Sequence, residues 1–259
     1  MKAFVAVGCC LLVFLTRAGA QQQYWTFAAD LGPSIPLGEF GAKNLSDTRA
    51  AFAGTGPILQ LTAAYRIGRH WGVTALAGGG WYRVNTDRMA AAEESINPGT
   101  RVNVTSDPWI AVTLMGGVYG QWRLAQRWNL VVRGYAGVLE TKRPKYTVQY
   151  SDVSVTSPLG GGNSGSESAD IGKVQTCFAF QADAGVEYTV WRKLFISGRL
   201  AYAAARYKTP GWSSNAGPLP ASSTVTGGTT TSPPGSTGVP TYIQPISSLN
   251  PTVGVGFHL

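Results

Sequence analysis

Eight stretches of this chain alternate apolar residues with small or polar ones, and the connections between them run long, short, long, short, long, short, long. Successive side chains of a strand point to opposite faces, so each stretch carries one apolar face and one polar face. An even number of antiparallel strands, with tight turns at one end and open loops at the other, is what an outer-membrane β-barrel requires. The expected fold is therefore all-β: an eight-stranded antiparallel up-and-down transmembrane barrel with three short periplasmic turns and four long extracellular loops.

The carboxyl-terminal stretch shows the alternation most cleanly. Val253, Val255, Phe257 and Leu259 share one parity, and Thr252, Gly254, Gly256 and His258 the other. Similarly, Leu194, Ile196, Leu200 and Tyr202 oppose Ser197, Arg199, Ala201 and Ala203, while Phe178, Phe180 and Val186 oppose Gln181, Asp183 and Glu187. A period of two in runs rich in Gly, Thr, Val and aromatics argues against helix. No stretch reaches the roughly 18 uninterrupted apolar residues of a transmembrane helix. The competing soluble reading is a lipocalin-type barrel with the faces inverted, which would put Arg66, Arg123, Arg133 and Arg199 on its surface.

The amino terminus points to export. Lys2 precedes an apolar core from Ala3 to Leu15, and Ala18-Gly19-Ala20 is a small-residue cleavage site, so residues 1–20 read as a signal peptide and 21–259 as the barrel domain. Cys9 and Cys10 leave with the signal, so Cys177 stands alone and an intramolecular disulfide is excluded. The formal charge of +8 falls by two when Lys2 and Arg17 are removed. The remaining basic residues are scattered, and together with export this argues against nucleic acid as a partner.

Tryptophans sort toward the ends of the strands. Trp25, Trp71, Trp122, Trp128 and Trp191 mark the short-turn end, and Trp81 and Trp109 flank a long connection. Two separated girdles at headgroup level are expected of a membrane barrel. The long connections, 33–57, 86–108, 151–171 and 209–246, are rich in Gly, Ser, Thr, Asn and Pro. They are expected to be turns and flexible backbone rather than folded inserts, with Gly32-Pro33 ending the first strand and 209–246 the most mobile segment.

A barrel of eight strands is just wide enough for side chains to fill. Its inward set holds Asp30, Asp183 and Glu187 against Arg66, Arg123, Arg133 and Arg199, and buried charge must be paired. A polar network plugging the lumen is expected. Small inward residues such as Ala64, Gly78, Gly117 and Ala201 could instead leave water-filled voids, and then a narrow passive pore for small solutes is the alternative function. A lipid-modifying enzyme is the second alternative. His70 and His258 both fall at the periplasmic end, away from an outer-rim reaction, so catalytic residues are not expected. Two separated histidines and one cysteine offer no metal-ligand spacing, and no cofactor site is read.

On its strands, girdles and terminal strand the mature chain resembles small outer-membrane barrels of the OmpA/OmpX type. The segment Gly32 to Phe40 resembles the first strand and loop of an outer-membrane barrel family common in Bacteroidota. The resemblance implies residence in the outer membrane of a Gram-negative bacterium, contact with outer-membrane lipid and insertion by the barrel assembly machinery, which reads a terminal strand ending in an aromatic. Here Phe257 is followed by His258 and Leu259, a departure from that ending. The plugged lumen and the placement of the two histidines favour a non-enzymatic protein acting at the surface through its outer loops on an extracellular ligand that the residues do not name.

Overall fold

The computed structural model describes residues 25–43, 50–96, 100–152, 164–169, 174–209 and 242–259. The expected signal peptide and most of the 209–246 connection lie outside the described residues. In chain order the elements are β1 (Trp25–Pro36), a helical turn α1 (Gly38–Gly41), β2 (Gly56–Arg66), β3 (Trp71–Tyr82), α2 (Thr86–Ile96), β4 (Thr100–Ser106) and β5 (Trp109–Arg123). There follow β6 (Trp128–Lys142), β7 (Tyr146–Asp152), β8 (Ser164–Ala169), β9 (Val174–Thr189), β10 (Leu194–Thr209) and β11 (Tyr242–His258).

Eight of these strands close a barrel in the order β1-β11-β10-β9-β6-β5-β3-β2, every neighbouring pair antiparallel. Closure leaves no strand edge, and a closed barrel satisfies its backbone groups without water. The seam joins the first and last strands, with Phe27 opposite Phe257 and Leu31 opposite Val253. At 15 to 17 residues, β5, β6, β9, β10 and β11 exceed the roughly 9–11 needed to cross a bilayer, so the wall rises beyond the membrane on the long-loop side.

The alternation seen in the sequence decides which face is which. Val253 is 71% exposed and Phe178 68%, whereas Asp30 is fully buried and Arg133 only 4% exposed. The inverted, soluble arrangement is thereby overturned: apolar side chains face out, and charged ones face in. A continuous apolar exterior of this kind cannot be bathed in water and belongs in hydrocarbon.

Two expectations about the connections are corrected. The first strand does not stop at Gly32-Pro33 but continues to Pro36, with Pro33 opposite Pro57 of β2. Pro tolerates extended φ, and buried Ser34 anchors the extension, its Oγ 2.9 Å from Tyr82 Oη and 2.5 Å from Asn250 Oδ1. The described parts of the second and third long connections also carry regular elements, α2, β4 and β8, where only turns and flexible backbone were expected. β4 pairs with β7, and β7 with β8, to form a three-stranded sheet outside the barrel.

This sheet has its own core. Val102 and Val104 of β4, Val148 of β7, Met89 of α2 and Phe52 pack together. The polar composition of these connections concealed a strand alternation, Val102-Asn103-Val104, whose apolar side finds a helix to cover it. Phe52 takes a positive φ of 51°, uncommon for a bulky residue. Its burial and two backbone hydrogen bonds hold it there, N–H to Ala42 O at 3.1 Å and O from Asn85 N–H at 2.9 Å. Glu94 Oε1 accepts the Val102 N–H at 3.0 Å, tying α2 to β4.

Candidate functional site

Inside the barrel, alternate residues of every wall strand converge, and the lumen divides into two layers. Ions and amides fill the layer nearer the short turns. Arg199 Nη1 lies 2.7 Å from Asp30 Oδ2, Arg133 Nη2 2.8 Å from Glu187 Oε1, and Arg133 Nη1 3.3 Å from Asp183 Oδ1. Arg199 Nη2 reaches the same Glu187 oxygen at 3.9 Å, joining the two arginine clusters. Ser197 Oγ donates to Asp30 Oδ1 at 2.9 Å, and Gln121 links the half-buried Arg66 (2.6 Å) to Glu187 (3.4 Å). Gln60 Nε2 donates to Gln181 Oε1 at 3.0 Å, from β2 to β9 across the lumen.

Ion pairs and hydrogen bonds of this layer draw on β1, β2, β5, β6, β9 and β10. Asp30, Asp183 and Glu187 face Arg66, Arg133 and Arg199, so the layer is neutral when all six are ionised. Such a layer is tolerable in a low-dielectric interior because each charge has a partner.

Arg123 stands apart from this set. It shares the inward parity but lies at the last residue of β5, exposed, where its guanidinium donates to the carbonyls of Ala125 (3.3 Å) and Gln126 (3.0 Å). Position along the strand overrides parity here: beyond the lumen mouth there is no interior to enter, and the side chain braces the turn. Gln60, Gln121, Gln181, Thr62 and Ser197 were legible as inward residues, but their bonding depends on which strands meet across the lumen, which parity alone does not supply.

Above the ions lies an apolar layer. Leu76, Tyr82, Trp109, Met115, Tyr135, Leu139 and Ile246 pack around Phe40, which α1 carries into the barrel from the first long connection. The Phe40 ring meets Tyr82 and Trp109 edge-on, at centroid distances of 5.1 and 5.6 Å. Aromatic pairs favour this geometry. Trp109 therefore lies inside, only 3% exposed, with its indole N–H donating to Ala51 O at 3.2 Å. It does not belong to a lipid-facing girdle, and its odd position, shared with Met115, was the available signal. Trp71, Trp81, Trp122, Trp128 and Trp191 are exposed on the outer surface, and Trp25 is partly covered by Phe27 and Tyr65.

Three small inward residues are seats rather than voids. A Cβ on Gly254 would collide with the Asp30 carboxylate, one on Gly256 with the Phe195 ring, and one on Gly185 would come within 2.7 Å of Arg199 Cγ. Each glycine makes room for a large neighbour on the adjoining strand. Between the layers, among the described residues, lies a cavity of about 40 Å³ bordered by Gln60, Met115, Gln181, Ile246 and Asn250. That is room for about one water molecule.

A closed antiparallel wall, an apolar belt and an interior packed with paired charges define an eight-stranded transmembrane β-barrel. Among solved structures the chain is similar to the attachment invasion locus protein Ail of Yersinia pestis, at 9% identity over 92% of this chain and 100% of that one, with a TM-score of 0.42. It is also similar to Neisserial surface protein A, at 10% identity over 91% and 97% of the two chains and a TM-score of 0.42. A third is a major outer membrane protein of Thermus thermophilus, at 12% identity over 91% and 99% and a TM-score of 0.38. No family model and no curated protein sequence matches the chain.

Proposed function

We propose that this protein is a non-conducting, non-enzymatic mount for a folded extracellular cap that engages a ligand at the cell surface. The observation that carries the reading is the double closure of the lumen, by the Arg133/Arg199 ion-pair layer and by the aromatic layer around Phe40. A passive pore needs a continuous wet path. Among the described residues, the cavity between the layers measures about 40 Å³.

The cap supports the other half of the proposal. Three connections contribute to one small core, which fixes a surface in place instead of leaving separate loops. Recognition by a rigid surface loses less conformational entropy than recognition by flexible loops. For the enzyme alternative, His70 meets the Gln121 carbonyl at 3.3 Å, and His258 meets Thr26 Oγ1 at 2.9 Å while stacking on Phe195. Both lie at the short-turn end, far from an outer-leaflet substrate.

Planar-bilayer recording tests the mount. The purified barrel is expected to be silent, and regular single-channel steps would return the passive pore to first place. Binding of whole cells to host-surface and matrix ligands, compared between the native cap and a cap opened by Val102→Asp, tests the ligand role. Loss of binding with the barrel still inserted supports it, and equal binding overturns it. Lipid A mass spectra unchanged by expression are expected, and a new acylation state would revive the enzyme.

A further inference from the structure

We infer that the short-turn rim of the barrel is a docking surface for anionic phospholipid headgroups of the inner leaflet. The three turns carry Arg69, Arg123, Arg127, Arg192 and Lys193, all exposed, and residues 67–70, 124–127 and 190–193 include no acidic side chain. The other end of the molecule is mixed in sign, with Glu39, Asp87, Glu94 and Asp107 among its cations. Among the described residues, the turns of one end thus carry charged side chains of a single sign, and the other end does not.

The cations form one ring because backbone hydrogen bonds fasten each turn to the neighbouring strand. Gln121 N–H donates to His70 O at 2.7 Å, Thr189 N–H to Arg127 O at 2.9 Å, and His258 N–H to Lys193 O at 2.8 Å. A second, independent feature sets the depth of this ring. Trp71, Trp122, Trp128 and Trp191 point outward beside the same turns, together with exposed Ile67, Leu124 and Val190. Indole rings settle at the headgroup level, so the neighbouring guanidinium and ammonium groups stand among the phosphates. A polyanion in the aqueous periplasm would need no indoles beside the cations, and this favours lipid over glycan. Anionic headgroups attract each nearby Lys or Arg by about fivefold in relative affinity, within a Debye length.

The test uses the folded barrel in nanodiscs of equimolar phosphatidylglycerol and phosphatidylcholine, extracted with detergent at low or high salt, and the headgroups retained on the protein are counted by mass spectrometry. Phosphatidylglycerol is expected to be enriched several-fold at low salt. The enrichment is expected to vanish at high salt and in R69Q/R127Q/R192Q/K193Q, whose folding is checked by circular dichroism. Equal retention of the two lipids overturns the inference, as does a preference that survives in the folded variant. If the variant does not fold, the salt dependence of the native barrel decides: a salt-insensitive preference overturns the inference. Salt-sensitive retention of purified anionic cell-wall glycan without any lipid preference would assign the ring to the glycan instead.

Discussion

The two layers of the lumen are filled to the same purpose by opposite means. In the lower one, six ionisable groups hold each other at 2.6 to 3.9 Å through direct pairs, glutamines and hydroxyls; in the upper one, Phe40, Tyr82 and Trp109 meet edge-on among aliphatic side chains. The difference lies in how each responds to damage. Removing one ion leaves its partner buried and uncompensated, whereas trimming an apolar ring leaves a hole whose cost depends on how far the neighbours relax.

The sharpest break in that comparison is Arg199→Met. It strips Asp30 of its 2.7 Å ion partner, and a loss of about 3–5 kcal/mol is expected in urea unfolding from lipid vesicles. The double variant Arg199→Met with Asp30→Leu should recover much of that loss, because no charge is then stranded. An Arg199 variant with an unchanged midpoint would place the layer in water rather than in a dry interior.

Gly254→Ala attacks the same ion pair from beside it. The added methyl falls on the Asp30 carboxylate and close to the Ala29 backbone oxygen, so about 1–3 kcal/mol of overpacking cost is expected, read as a lowered urea midpoint. In the upper layer, Phe40→Ala should cost about 3 kcal/mol if the void stays empty and less if lipid or water enters. It also opens the aromatic layer. Maleimide labelling of half-buried Cys177, packed against that layer, is expected to speed up, and an unchanged rate would show that Phe40 does not seal it. The smallest effect expected is from Arg123→Gln. Its exposed guanidinium braces one turn, and the midpoint should move by no more than about 0.5 kcal/mol.

The wall was legible because period-two alternation is a local property that each strand writes independently. Val253, Val255 and Phe257 announce their face without reference to any partner. The lower layer was legible in its members but not in its bonds. Asp30, Arg133, Asp183, Glu187 and Arg199 could be read as inward, yet Gln60 meeting Gln181 depends on the shear of the closed barrel. Arg123 and Trp109 were misplaced for complementary reasons. Arg123 has inward parity and lies past the mouth, while Trp109 lies near an end and has inward parity, so neither distance along the strand nor parity suffices alone. The cap was missed because its elements are short, polar on their outer side, and supported by residues distant in sequence: Phe52, Met89, Val102 and Val148. Only assembly brings them together.

The sharing of one sheet by β4 and β7 has an immunological corollary. Each strand is contributed by a different connection, with Val104 facing Val148 across their boundary, so the surface they create exists only while both are folded on the barrel. Antibodies raised against linear peptides from either segment would meet an epitope that the native protein never displays. Those raised against intact cells would read both segments at once.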